Sequence, residues 1–174
     1  RILLVAIAVL AIVSLIWPAI QNGYPLVYSD SGTYIASGQL KTVPIDRPIA
    51  YGLFVNLFSF NWSLWSVIIA QSILVFGAVF FLLERIFQRP VIATSLIILF
   101  LSFATGLSNF CSQIMADVFS GIAMLGFITL LVYDILGWRK IILIVVTTFS
   151  LMTHFSNVLV CLLISGTLFL SYTI

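Results

Sequence analysis

The chain has 174 residues, of which 63% are hydrophobic and only 7% are charged, and its formal net charge is +2. With a mean hydropathy of +1.28, it has too few polar side chains to cover the surface of a water-soluble globule. The weak charge and the lack of a basic cluster argue against a nucleic-acid partner. Composition therefore predicts an all-α, polytopic transmembrane helical bundle.

The two ends of the sequence fit a piece of a longer protein. The chain starts at Arg1 without a methionine and stops at Ile174 within an apolar run, so we expect further sequence beyond it. The run from Ile2 to Ile20 lacks a small-residue cleavage site and is long enough to cross a bilayer. It is therefore predicted to be a retained helix and not a signal peptide.

Six spans are predicted from the length of the apolar runs, since a helix needs roughly 20 apolar residues to cross a bilayer. They are residues 2–21, 63–84, 91–108, 112–134, 140–154 and 156–174, in one domain that covers 1–174 and has an outer loop at 22–62. One side of these spans carries Arg1, Arg85, Arg89, Arg139 and Lys140. By the positive-inside rule that side is cytoplasmic. We expect an integral protein of a bacterial inner membrane whose outer loop faces the periplasm.

Two juxtamembrane helices are predicted in the outer loop. Ser29, Asp30 or Ser31 can cap a first helix at residues 29–38, which Gly38 would end. Pro48 suits the first turn of a second helix at residues 48–60, which is apolar but too short to cross.

The outer ends of the predicted spans collect polar side chains from at least four segments. These are Asp30, Asp46, Arg47, Asn109, Gln113, Asp117, His154 and Asn157. The charged residues at the inner ends are explained by anchoring and topology alone. The outer set, in contrast, predicts a shared site.

Two short stretches resemble a known family. An acidic loop helix followed by "DRPIAYGLF", together with "SQIMADVFSGI" at the start of the fourth span, resembles the integral-membrane glycosyltransferases of the GT-C superfamily. The resemblance implies a sugar donor of the polyprenyl-phosphate type and transfer to an acceptor on the non-cytoplasmic face, without a metal in many members. The sequence lacks the paired Asp-Glu and the Asp-x-Asp of metal-dependent members, so we expect no metal or other cofactor.

Roles for the outer residues follow from this resemblance. Asp30 is suited to act as a base that orients the acceptor hydroxyl. Arg47 is suited to bind the phosphate of the lipid through its N–H groups. Tyr34 and Tyr51 are expected to contact the sugar, and Asp46 is included among the substrate contacts. The alternatives are that Asp30 is only a helix cap and that Arg47 only pairs with Asp46 or with a lipid headgroup.

Asp117 is the strongest candidate for a catalytic residue within the predicted spans. We place it about a turn and a half into the fourth span, where an ionisable side chain is costly unless it faces a cavity or a partner. It recurs with four residues at helical spacing: Gln113, Ser120, Gly121 and Met124. Helix packing is the alternative for this stripe. Gln113 and His154 are further candidate substrate contacts, although a lone histidine at a helix end is more often an interfacial residue.

Two other functional classes stay open. Asp30, Asp117 and His154 would also fit a proton or ion path in a transporter. A non-catalytic membrane assembly subunit would keep the same fold. No P-loop, dinucleotide-binding, zinc-protease or nucleophile-elbow motif is present in the sequence, so nucleotide binding, zinc proteolysis and serine hydrolysis are not expected.

Overall fold

The computed structural model describes the backbone of residues 1–173 and the side chains of residues 1–166. Within this range the chain is all-helical and has no strand, which confirms the all-α part of the predicted fold class. The helices are α1 (Ile2–Leu15), α2 (Trp17–Asn22), α3 (Ser31–Leu40), α4 (Ala50–Ser59), α5 (Trp65–Leu83), α6 (Pro90–Ala104), α7 (Leu107–Ser112), α8 (Asp117–Val132), α9 (Trp138–Met152) and α10 (Phe155–Thr173).

One helix of the described chain is long and apolar enough to cross a membrane. This is α5, with 19 residues and a mean hydropathy of 2.4. The apolar helices α1, α4, α6 and α8 have 10–17 residues each, as does the described part of α10. Length and composition therefore support one crossing helix here, fewer than the six spans predicted.

Breaks in the helices account for much of this difference. The predicted span 2–21 is divided at Ile16, because Pro18 lies at the start of α2 and a proline there cannot continue the ladder of α1. The predicted span 112–134 does not coincide with a single helix. The short helix α7 ends at Ser112, residues 113–116 are not helical, and α8 begins only at Asp117.

The loop helices α3 and α4 cross at two glycines. A Cβ added to Gly38 would lie 2.0 Å from the carbonyl oxygen of Gly52, and one added to Gly52 would lie 2.3 Å from Ser37 Oγ. The prediction that Gly38 ends the first helix is therefore wrong, since the glycine is there for close backbone approach. The helix continues to Leu40, and Lys41 ends it in the left-handed conformation at φ 55°. The second helix begins at Ala50, two residues after Pro48.

An aromatic cluster joins the loop helices to the rest of the bundle. The ring of Phe119 on α8 lies 5.6 Å from that of Tyr51 and 5.0 Å from that of Phe54, both on α4. It also lies 5.5 Å from the ring of Phe149 on α9. Edge-to-face aromatic pairs of this kind add to the gain from burial. They fix α4 against α8 and α9, and so fix the loop that carries the charged residues.

Candidate functional site

Asp30 lies at the N-cap position of α3 but does not cap the helix. No side-chain cap hydrogen bond is present at this helix start. The Asp30 carboxylate instead accepts from Arg47, with 2.7 Å between Oδ2 and Nη1. Ser29 Oγ donates to Asp30 Oδ1 at 3.2 Å, and Ser31 Oγ donates to the carbonyl of Ile114 at 2.8 Å. The predicted capping role of these three residues is therefore wrong, and Asp30 is held as a charge partner.

Arg47 joins two carboxylates and a tyrosine ring. Its Nε and Nη2 donate to Oδ2 of Asp46 at 3.1 and 2.5 Å, and its guanidinium carbon lies 5.3 Å from the ring centroid of Tyr34. The side chain is 17% exposed. A guanidinium has five N–H donors, and the pairs with Asp30 and Asp46 use three of them. One N–H on each terminal nitrogen is thus available to a ligand.

The three charges hold one another in the ionised form. The hydrogen bond from Arg47 lowers the pKa of Asp30 and that of Asp46. The hydrogen bonds to Asp46 and then to Asp30 raise the pKa of Arg47. Two carboxylates and one guanidinium leave this group with a net charge of −1.

Burial and nearby charges act together on the pKa of Tyr34. Burial raises the pKa of its phenol, the charge of Arg47 lowers it, and the charges of Asp117 and Asp30 raise it. These three side chains come from the loop before α4, the start of α8 and the start of α3. The net effect raises the pKa of Tyr34 above its ordinary value of 10.0, so the phenol stays protonated at neutral pH.

Asp117 is the first residue of α8 and does not lie a turn and a half into the span. Within the described chain, its half-buried side chain has no ion pair or side-chain hydrogen bond. It lines a cavity of about 320 Å³ between α5, α6, α7 and α8, whose other lining residues are apolar: Val75, Val79, Leu101, Leu107, Phe110, Val118, Gly121, Ile122 and Leu125. Gln113 does not belong to the predicted helical stripe, because its backbone is extended, with ψ 150°.

Gln71 supports the site and was not predicted. It lies fully buried within the apolar helix α5. Its Nε2 donates to the carbonyls of Cys111 and Gln113 at 2.8 and 2.9 Å, and its Oε1 accepts from the Tyr51 hydroxyl at 3.2 Å. It thereby satisfies two carbonyls that the end of α7 leaves without a helical partner. The signal in the sequence is a lone amide in an otherwise apolar span.

The break between α7 and α8 also holds the start of the outer loop. Leu26 N donates to the Ser112 carbonyl and Ile114 N donates to the Leu26 carbonyl, both at 2.9 Å. The hydrogen bond from Ser31 to Ile114 extends this contact into the first turn of α3. The non-helical residues before Asp117 are thus fixed directly beside Asp30.

The other predicted contacts lie away from the surface of this cluster. Tyr51 is fully buried, and Gln113 is buried with its carbonyl bonded to Gln71. His154 lies between α9 and α10, where Nδ1 pairs with Ser156 Oγ at 2.8 Å. No hydrogen bond or ion pair joins it to the Asp30–Arg47 pair in the described chain. Tyr51 and Gln113 support the site from within, and His154 stands apart.

Neither a metal centre nor a known relative guides the interpretation of this cluster. Among residues 1–166, no group of three or more His, Cys, Asp or Glu side chains is placed to hold a metal ion. Comparison with models of protein families, with curated proteins and with solved structures gives no match for this chain.

Proposed function

We propose that this chain is a polytopic membrane protein with the Asp30–Arg47 cluster at its outer surface. The distribution of side chains on α6 supports this. Leu96, Phe100 and Phe103 are 59–70% exposed, whereas Thr94 and Ser102 on the opposite face are buried. Burying hydroxyls while exposing large apolar residues is unfavourable in water but suits a helix in contact with lipid. The same holds for α1, where Ser14 is buried and bonded to Ser102 at 3.1 Å while Val5 is 63% exposed.

The activity proposed for this site is transfer of a sugar from a polyprenyl-phosphate donor to an acceptor on the outer face. The observation that carries it is the ion pair of Asp30 with Arg47, whose guanidinium lies over the ring of Tyr34. Asp117 adds an apolar cavity that its side chain lines. A donor of this class has three parts: an aliphatic chain, a phosphate and a sugar. The cavity suits the first, the free N–H groups of Arg47 suit the second, and the carboxylates and phenol suit the hydroxyls of the third.

In the proposed reaction the acceptor hydroxyl attacks the anomeric carbon of the sugar. The bond from that carbon to the phosphate oxygen breaks, and the lipid phosphate leaves with the electron pair. Asp30 takes the proton of the acceptor, while the two free N–H groups of Arg47 bind the phosphate oxygens. Sharing Arg47 with the phosphate weakens its hold on Asp30. The pKa of Asp30 then rises, which makes it a better base when the donor is bound.

The solvent exposure of the two carboxylates indicates which one the donor phosphate displaces from Arg47. A phosphate on the free N–H groups of Arg47 adds negative charge to a group that already sums to −1, and the repulsion favours release of one carboxylate. Asp46 is 61% exposed and Asp30 is 39% exposed, so water can solvate Asp46 more readily. We expect the phosphate to displace Asp46 and to leave Asp30 in place.

These two aspartates form a matched experiment. Donor turnover is measured in proteoliposomes as release of polyprenyl phosphate from a labelled polyprenyl-phosphate sugar, with a membrane extract as the source of acceptor. Asp30→Asn should lower turnover roughly a hundredfold, and its melting curve should show that the variant still folds. Asp46→Asn should keep turnover and lower the KM for the donor, because it removes the competitor for Arg47.

The outcomes separate the alternatives. Full turnover in a folded Asp30→Asn protein would move the base to Asp117. Equal losses in Asp30→Asn and Asp46→Asn would contradict the displacement of Asp46. A wild-type protein that releases no polyprenyl phosphate would contradict the transferase and leave the assembly subunit.

The structure of the α7–α8 break favours a transporter less than a transferase. The non-helical residues 113–116 resemble the broken helices of transporters, whose free carbonyls coordinate ions. Here, however, the carbonyl of Gln113 accepts from Gln71, and that of Ile114 accepts from Ser31. Because protein donors already bind these two carbonyls, they are less suited to coordinate an ion than the free carbonyls of a transporter break.

A further inference from the structure

A second groove lies at the other end of the bundle, where α1 and α6 begin. It consists of two neighbouring cavities of about 330 and 320 Å³, and Leu4 and Val91 belong to the walls of both. The first cavity runs between α1, α5 and α6 and is lined only by apolar residues, among them Phe76 and Phe80. The second cavity carries Gln88 and Arg89. The groove is thus apolar at one end and cationic at the other.

A glycine keeps the apolar part of this groove open. Gly77 on α5 lines the cavity, and a Cβ added to it would meet nothing within 4 Å. Glycine in a helix interior costs roughly 0.5–1 kcal/mol relative to alanine. Neither close backbone approach nor a positive φ requires a glycine at this position. What its absent side chain provides is space in the groove.

Arg89 is available to a ligand at the cationic end. It is exposed and forms no ion pair or side-chain hydrogen bond within the described chain. Arg139 and Arg47, in contrast, are paired with Glu84 and with the two loop aspartates. A free guanidinium beside an aliphatic groove complements an amphiphile that has an anionic head and a hydrocarbon chain.

We infer that this groove binds one anionic glycerophospholipid, with its phosphate on Arg89 and an acyl chain along Leu4, Val91 and Gly77. The inference assumes the proposed membrane embedding but does not depend on the transferase activity. The site is separate from the Asp30 cluster, which lies near the end of α2 and the start of α8. It would provide a fixed lipid between the first helix and α5 and α6.

Native mass spectrometry of the full chain, purified from membranes in mild detergent, tests this inference. The protein is titrated with phosphatidylglycerol or with phosphatidylcholine of the same acyl chains, and retained lipids are counted. We expect one phosphatidylglycerol to bind at least roughly fivefold more tightly than phosphatidylcholine. Arg89→Gln should remove that preference, whereas Arg85→Gln, an exposed arginine outside the groove, should keep it.

Filling the groove provides the second test. Gly77→Leu should lower retention of both lipids at least roughly fivefold, because its side chain occupies the path of the acyl chain. Gly166→Leu is the matched control, since Gly166 is also a helical glycine with nothing within 4 Å but lies outside the groove. Both variants gain helix propensity, and their melting temperatures are recorded to show that they fold.

The contrary results are distinct. Equal binding of the two lipids by the wild type, or equal retention in Gly77→Leu and Gly166→Leu, would overturn this inference and leave the membrane embedding intact. A dimer that forms when lipid is removed, and that Gly77→Leu abolishes, would assign the groove to a second copy of the chain and overturn it as well. Absence of the protein from the membrane fraction would overturn the embedding and this inference together.

Discussion

The Tyr51 hydroxyl donates a hydrogen bond of 3.2 Å to Gln71 Oε1, joining the loop helix α4 to the centre of α5. The same amide donates to two carbonyls at the end of α7. On its other side, the ring of Tyr51 lies 4.8 Å from that of Tyr34, which lies beneath Arg47. A chain of direct contacts thus runs from a buried amide in the apolar helix to the exposed charge cluster.

Gln71→Leu should strongly destabilise the protein. Leucine has a similar size but leaves the carbonyls of Cys111 and Gln113 without their donor, and each unsatisfied buried group costs about 1–3 kcal/mol. We expect a loss of about 2–5 kcal/mol in the free energy of unfolding, measured by denaturant titration in detergent. Ser72→Ala is the control, because that hydroxyl donates to a carbonyl of its own helix, that of Ile68, at 2.7 Å. Similar losses in the two variants would contradict the role of Gln71.

Gly38→Ala should separate the loop helices α3 and α4. The added methyl would lie 2.0 Å from a backbone oxygen of Gly52, which cannot move without its helix. We expect the melting temperature to fall and donor turnover to fall with it, since Tyr34 lies on the displaced helix. Gly32→Ala in the same helix meets nothing within 4 Å and should be neutral or stabilising by up to about 1 kcal/mol. A Gly38→Ala protein as stable as Gly32→Ala would show that the helices do not require this close crossing.

Some of the site could be predicted from the sequence because its residues are close together along the chain. Asp30 and Arg47 belong to one short polar loop between long apolar runs, so their proximity follows from loop length and opposite charge. A helix on either side of Arg47 was likewise predictable, although the residues expected to cap and end the first helix have other roles.

The other features of the site depend on contacts between residues that are distant in the sequence, and local sequence patterns do not reveal such contacts. Gln71 bonds to carbonyls 40 and 42 residues away, so only the fold shows why an amide belongs in that helix. Gly38 resembles a helix terminator until Gly52 is found against it. Asp117 was placed inside a span because the apolar run continues through residues 113–116. The backbone leaves the helix there because Gln71, Leu26 and Ser31 supply hydrogen bonds that replace the helical ones.

The pair between Asp30 and Arg47 should persist into acid. Because Arg47 lowers the pKa of Asp30 from its ordinary value of 3.8, the pair stabilises the fold fully above about pH 3.8. That contribution is lost as the pH falls through the lower, folded-state pKa. The difference in melting temperature between the wild type and Asp30→Asn should therefore be constant from pH 7 to pH 5 and shrink only below pH 3.8.

Arg47→Gln should change the pH–rate profile that depends on the Asp30 carboxylate. Without the guanidinium the pKa of Asp30 should rise, so the acid limb of the pH–rate profile for donor turnover should move to higher pH than in the wild type. Arg85→Gln should leave that limb unchanged. An acid limb at the same pH in the wild type and in Arg47→Gln would mean that another group controls turnover in acid.

Asp117→Asn should lower activity with little effect on stability. Asp117 has no ion pair within the described chain and lies against an apolar cavity. Removing its charge therefore relieves desolvation, but it also removes a favourable interaction with the N-terminus of α8 worth about 0.3–1 kcal/mol. These effects oppose each other, so we expect the free energy of unfolding to change by less than about 1 kcal/mol. Donor turnover should fall at least roughly tenfold if the charge acts on the substrate.

Gly121→Leu separates the contribution of the cavity to donor binding from that of the Asp117 charge. Gly121 lines the same cavity, and a Cβ there meets nothing within 4 Å, so leucine fills the cavity and leaves the carboxylate in place. If the cavity holds the aliphatic chain of the donor, this variant should raise the KM for the donor while the kcat stays within about twofold of the wild type, because it removes uniform binding. Asp117→Asn should instead lower kcat. A large loss of stability in Asp117→Asn, with normal turnover in the folded fraction, would make Asp117 a structural residue and leave Asp30 as the only carboxylate proposed to act on the substrate.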